Sequence, residues 1–340
     1  MAQLKYATPF LFLALLPLGG WLGGAWTFAA ALATPLCLTV LDEILGSDAA
    51  RPQDPIARLQ RWPPRTYVVL QLAANLWAAY WVARPATTLL EAVGLAISAG
   101  VTTGVFGFVA AHEMVHSPNP RERALGLGLL ASVFYMHFRI AHVYGHHRRA
   151  ATFDDPASAR FGEGLYAFLF RSIGGQFREA WRFEADRLRR IGRAVLGAGN
   201  RMIAYLGIEV ALIAALALLS WKSLAFVAAV AIIAVLLLES FNYVAHYGLS
   251  RRISPDGGVE RLAPRHSWNS ARRMNNAALF NMGRHSDHHR VMTRTYEALD
   301  PMPRSAELPS GYAAALLTAL VPPLWHRLMD PRVEDARRLG

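Results

Sequence analysis

Between Lys5 and Asp42 the chain carries no charged side chain. A stretch of that length suits a bilayer, whose hydrocarbon core takes about 20 helical residues per crossing. It provides for two spans of about 17–20 residues with a turn at Pro17-Leu18-Gly19-Gly20. A cleaved signal peptide would need only one short apolar core and a cleavage site. The double length predicts a helical hairpin instead. Further apolar runs at 66–83, 88–111, 203–221 and 223–244 join 6–20 and 21–41 to make six expected spans. A hydrophobic content of 54% agrees with this all-α integral membrane bundle, formed from residues 1–340 as a single domain.

Charge orients the bundle. Of 35 Lys and Arg residues, only Arg84 and Lys222 fall on one side of the six-span arrangement. Cations in short loops mark the cytoplasmic side. Segments 42–65, 112–202 and 245–340 are therefore expected in the cytoplasm of a cell whose inner membrane holds the chain, with 148–202 and 249–310 forming a helical cap. The polar loop 42–66 is punctuated by proline, and Pro322-Pro323 interrupts the apolar stretch from Gly311 to Trp325. The net charge of +11 suits anionic lipid headgroups or an acidic electron carrier. No nucleic-acid-binding module accompanies it. The single cysteine, Cys37, lies in an apolar span and reads as a packing residue; one cysteine excludes an internal disulfide and an all-cysteine iron–sulfur site.

Nine of the twelve histidines fall into four groups: His112 and His116; His142, His146 and His147; His246; and His285, His288 and His289. Imidazole is the commonest side-chain metal ligand, and repeats of three or four residues set rings on one helical face. A structural zinc site takes four ligands, so nine suggest two neighbouring ions. The groups share one membrane face only if 124–141, apolar but carrying His137 and Arg139, does not cross. Both His137 and His326 read as interfacial residues outside the ligand set.

His112-Glu113-x-x-His116 alone matches an intramembrane zinc protease, with Glu113 as base. That reading leaves seven further histidines without a purpose. A metal transporter would place ionisable groups within its spans; here the middles of the six spans carry almost none apart from Glu209 and Glu239.

Taken together the boxes resemble those of the membrane fatty acid desaturase and hydroxylase superfamily. Asn242-Tyr243-x-x-His246-Tyr247-Gly248 narrows the resemblance to alkane 1-monooxygenases and their xylene monooxygenase relatives. Leu41-Asp42, Asp154-Asp155-Pro156, His266-Ser267-Trp268-Asn269, Arg284-His285-Ser286-Asp287 and Leu308-Pro-Ser-Gly-Tyr312 fit the same family. The resemblance implies a non-haem di-iron oxygenase with all nine histidines as ligands. It also implies a rubredoxin or ferredoxin, with an NAD(P)H-dependent reductase, as electron source. Hydroxylation of a terminal or methyl carbon is the expected reaction and acyl desaturation the alternative. Three residues between His142 and the His146-His147 pair favour hydroxylation, because desaturases usually have two. The sequence departs from the family pattern at Ala141 and Ala245, where glutamate is frequent, and at Ser117, where a cation is frequent. Glu113, Asp287, His266, Asn269 and Asn242 remain candidates for bracing the ligand rings.

Overall fold

The computed structural model describes residues 4–48, 62–302 and 305–338. Most of the expected loop 42–66 lies outside the described residues. The chain is mostly helical, with a single pair of two-residue parallel strands, Trp268–Asn269 and Ala306–Glu307, among the described residues. Helix α1 (Thr8–Leu22) ends at Gly23, whose φ of 73° is costly for any residue with a Cβ. A tight turn leads into α2 (Ala29–Leu45), which stops at Gly46 in the same left-handed region. Helix α3 (Trp62–Ala83) is followed by α4 (Leu89–Thr102). A capping box starts α4: Thr88 Oγ1 accepts from the Glu91 amide at 3.3 Å, and the Glu91 carboxylate accepts from the Thr88 amide at 2.9 Å. The other Glu91 oxygen accepts from the Gly24 amide, pinning the α1–α2 hairpin to α4. A π-helical turn, Thr103–Gly107, carries α4 into α5 (Phe108–Val115).

Among the described residues, four continuous helical stretches are long and apolar enough to cross a membrane: Gly24–Leu45, Leu89–Val115, Arg201–Leu219 and Trp221–His246. They correspond to four of the six expected spans. The first expected span contains a helix of 15 residues, below the length of a crossing helix. In α3 the buried polar residues dilute the apolar run. Tyr67 Oη donates to Gln71, Gln71 to Asn75, and Asn75 to Thr103 Oγ1 at 3.0, 2.9 and 3.1 Å.

Segment 124–141 holds no helix long enough to cross. Helix α6 (Pro120–Ser132) has 13 residues, and its chain then reverses through Phe134 at φ 54°. At about 1.5 Å per residue it reaches roughly 20 Å, short of the ~30 Å hydrocarbon core. The turn is held by the two in-span carboxylates. Glu209 accepts from the Met136 amide at 2.9 Å, and Glu239 accepts from Tyr135 Oη at 3.0 Å. Irregular backbone near a membrane needs such partners, because no water replaces them. Glu239 also accepts from Ser172 and Gln176 at 2.6 and 2.7 Å. Those two lie on α7 (Leu165–Arg190), so the carboxylate joins the re-entrant turn, α7 and the second of the two final spans, α8 (Arg201–Leu219) and α9 (Trp221–His246).

Short helices α10 (Arg273–Ala278) and α11 (His285–Arg290) follow, then α12 (Tyr312–Ala319) and α13 (Pro322–Arg338). The break between the last two falls at Pro322-Pro323, as the sequence suggests. His137 differs from its expected interfacial setting: it is buried, with its ring against Tyr135 and Phe177. Cys37 is half-buried and unpaired, consistent with packing.

Candidate metal centre

All nine grouped histidines converge, and they divide into two sets. His112, His116, His142, His147 and His288 form one; His146, His246, His285 and His289 form the other. Within each set the candidate ligand atoms lie within 4.8 Å of one another. Nε2 of His142 stands 2.8 Å from that of His112 and 3.1 Å from that of His147, which stands 3.1 Å from that of His288. In the second set the His285 Nε2 lies 3.1 Å from that of His246 and 3.0 Å from that of His289. The His146 Nε2 is buried with no hydrogen-bond partner. Ring nitrogens crowded together in a dry interior are costly unless they share a cation. The donor set therefore fits metal ions.

Local backbone geometry performs the division. His112 and His116, four residues apart on and just after α5, present one face. The box 142–147 lies on a π-helical turn, Ala141–His146, where the His147 amide donates to the His142 carbonyl. An i→i+5 turn sets His147 over His142, while His146 faces the other set. On α11, His285 and His289 share a face and His288 points to the first set. Two of the sequence groups thus contribute to both sets.

Burial pushes the imidazoles of His116, His142, His147, His285, His288 and His289 well below their usual range, and neighbouring rings act in the same direction. Neutral rings keep a lone pair for a metal at neutral pH. Asp155 orients one of them: its Oδ2 accepts from His146 Nδ1 at 2.8 Å and from Ser158 Oγ at 2.6 Å. Burial raises the Asp155 carboxyl, but His146 and Ser158 outweigh it and hold the group below its usual range. Sequence reasoning placed Asp155 in a family stretch without giving it this role. No periodicity joins it to His146, since the link is a loop contact.

The other bracing candidates act differently. Asn269 accepts from the Ser286 amide at 2.8 Å and donates to Ser286 Oγ at 3.0 Å, fixing the start of α11 beside His285. Asp287 binds Arg290, Arg294 and the Asp300 amide, holding the loop beyond α11. Asn242 donates to Glu239 at 3.3 Å. Glu113 accepts from the Tyr296 amide at 3.3 Å. His266 accepts from the Ala263 amide through Nδ1 at 2.9 Å. His326 Nδ1 lies 2.6 Å from Tyr247 Oη, clamping α13 onto the residue after His246. Gly248 follows with φ 69°, and an added Cβ would stand 2.8 Å from Val333.

Two cavities meet the histidines. An apolar one of about 190 Å³ reaches His112 and His142 of the first set and His285 of the second. Its wall includes Thr34, Leu38, Phe108, Phe241 and Leu317. A polar one of about 280 Å³ reaches His116 and is lined by Arg65, Glu113, Glu122 and Arg294.

The model of the fatty acid desaturase family matches residues 86–315, a stretch containing all nine histidines. The chain is 39% identical to alkane 1-monooxygenase 1 of Pseudomonas aeruginosa, over 91% of this chain and 83% of the relative. It is 37% identical to alkane 1-monooxygenase of Acinetobacter baylyi, over 88% and 74%. Identity to the xylene/toluene monooxygenase hydroxylase component of Pseudomonas putida is 30%, over 94% and 85%.

The chain belongs to the alkane 1-monooxygenase family. A zinc-protease reading of His112-Glu113-x-x-His116 does not account for its geometry, because three distant histidines complete that set. In this alkane 1-monooxygenase relative the departures from the family pattern are structurally quiet. Ala141 and Ala245 are fully buried, and Ser117 donates to Glu122 at 2.5 Å.

Proposed function

We propose that the chain is a multi-pass membrane monooxygenase with one iron in each histidine set, hydroxylating a terminal or methyl carbon of an apolar substrate. The balance is RH + O2 + 2e⁻ + 2H⁺ → ROH + H2O. The observation that carries this reading is the apolar cavity ending on histidines of both sets. Such a wall holds a hydrocarbon chain by burial alone and leaves its end the only part near the metals.

Five imidazoles in the first set exceed the four ligands of a structural zinc site, which favours a more highly coordinated ion there. When bound, iron supplies redox chemistry with dioxygen at an open position. The chain's own residues hold the rings, exclude water and position the substrate. Asp155 keeps the proton of His146 on Nδ1, so Nε2 faces the ion.

The wider arrangement belongs to the same reading. Residues 1–340 form one domain with six spans, in which α1, lengthened at its start by the 3-10 turn Leu4–Ala7, and α3 complete the bundle. The histidines and the cap lie on the cytoplasmic side of the inner membrane. Electrons arrive from a rubredoxin or ferredoxin with its NAD(P)H-dependent reductase. Desaturation is the less favoured outcome, since the relatives named above are monooxygenases.

The test is iron analysis of purified protein, followed by turnover of candidate hydrocarbons under isotopically labelled dioxygen. Iron without zinc and labelled alcohol are expected. Unlabelled or only unsaturated product would refute hydroxylation.

A further inference from the structure

A third cavity, of about 360 Å³, lies away from the apolar one, and its wall is basic. Arg252, Arg265, Arg337, Ser250 and His266 line it, with Glu260 as the acidic member. Arg265 pairs with Glu260, whose other oxygen accepts from the Arg252 amide. The Arg252 guanidinium is exposed and forms no ion pair among the described residues. The pocket is therefore net positive and keeps a cation facing outward.

The walls of this pocket connect to the second histidine set through a few residues of chain. One wall, Leu249–Arg252, continues from His246. The other, Arg265-His266, runs into Ser267 and Trp268. Trp268 donates to the Tyr247 carbonyl at 2.8 Å, and Ser267 Oγ lies 2.8 Å from Ser286 Oγ, next to His285. His266 is itself buried, with its Nε2 3.4 Å from the Glu260 carboxylate. Both walls thus lead to candidate ligands within a few residues.

Two other charged surfaces fit different tasks. At the polar cavity beside His116, Arg65 pairs with Glu122 and Arg294 with Asp287, leaving no net cation facing out from those pairs. The basic end of α7 is tied through Glu184 to Arg201, the first residue of a span, which sets it at headgroup level.

We propose that the pocket walled by Arg252, Arg265, Arg337 and His266 is the docking site of a small acidic iron–sulfur electron carrier serving the second histidine set. This rests on the externally fed monooxygenase reading above. Each reduced carrier gives one electron, so two are oxidised per turnover: RH + O2 + 2 carrier(red) + 2H⁺ → ROH + H2O + 2 carrier(ox). Complementary charge speeds such encounters and makes them sensitive to salt.

The experiment uses the iron-loaded protein in lipid nanodiscs with a rubredoxin and its reductase. Equilibrium binding of oxidised rubredoxin is measured without turnover, alongside its KM during turnover. Arg252→Glu and Arg337→Glu are each expected to raise Kd and KM roughly tenfold at low salt, with a shallower salt dependence. Arg252→Lys, which keeps the charge, is expected to stay near wild type. So is Arg189→Glu, a reversal on the exposed end of α7. Wild-type binding with both pocket variants unchanged overturns the docking site alone. An equal loss in Arg189→Glu overturns it too, because charge would then act diffusely. Absence of binding and of carrier-dependent product in the wild type overturns the external-carrier reading and the site with it.

Discussion

Replacing Asp155 with asparagine should unload the four-histidine set while leaving the fold in place. The two side chains have the same shape, so packing around this 1%-exposed position is preserved. Hydrogen bonding is not. Asp155 accepts three bonds: from His146 Nδ1 at 2.8 Å, from Ser158 Oγ at 2.6 Å and from the Ala157 amide at 3.1 Å. An asparagine amide must turn its NH2 toward one side of this cage. Facing Ala157, it opposes another donor. Facing His146, it favours the tautomer protonated on Nε2, which cannot bind a metal. Loss of such a partner costs about 10- to 100-fold in metal affinity. In free energy that is about 1.4–2.7 kcal/mol. Iron retained after dialysis against graded chelator measures it. One class of iron should leave at lower chelator concentration and the other should follow wild type. A variant that holds all its iron at every chelator concentration would refute this account of Asp155.

Three further outcomes are expected. Thr34→Trp fills part of a 190 Å³ cavity from α2 and should shift product profiles toward shorter substrates, read by mass spectrometry of competing chain lengths; an unchanged profile would remove Thr34 from the substrate wall. His246→Ala should lose the ion of the four-histidine set and hydroxylation with it, whereas full iron and full turnover would break the nine-ligand assignment. Glu209→Ala strands the Met136 amide at the re-entrant turn and should destabilise the protein by about 1–3 kcal/mol, seen as a lower midpoint in thermal unfolding. A wild-type midpoint would mean that another group holds the turn.

Much of the site was legible in the chain because its spacing matches helical repeats. His112 with His116 and His285 with His289 follow the period of one helical face, and all four converge as that period requires. The lack of a long helix in 124–141 was legible by consistency: histidines on both sides of a crossing helix cannot meet. Less legible were α1 and α3, where apolar composition suggested spans but a short helix and a buried polar ladder depart from the simple pattern. Asp155 escaped because a loop contact leaves no periodic trace.

The sequence by itself determined the helical class, the membrane-spanning character, the nine histidines and their common side, since hydropathy and spacing act locally along the chain. Only the tertiary structure decided how those histidines divide. A π-helical turn sends His146 one way and His142 and His147 the other, and α11 splits His288 from His285 and His289. The structure also gave Glu209 and Glu239 their purpose, as partners of a turn remote in sequence. Which ring faces which ion depends on backbone turns and on packing between distant segments, and neither is a property of any local stretch.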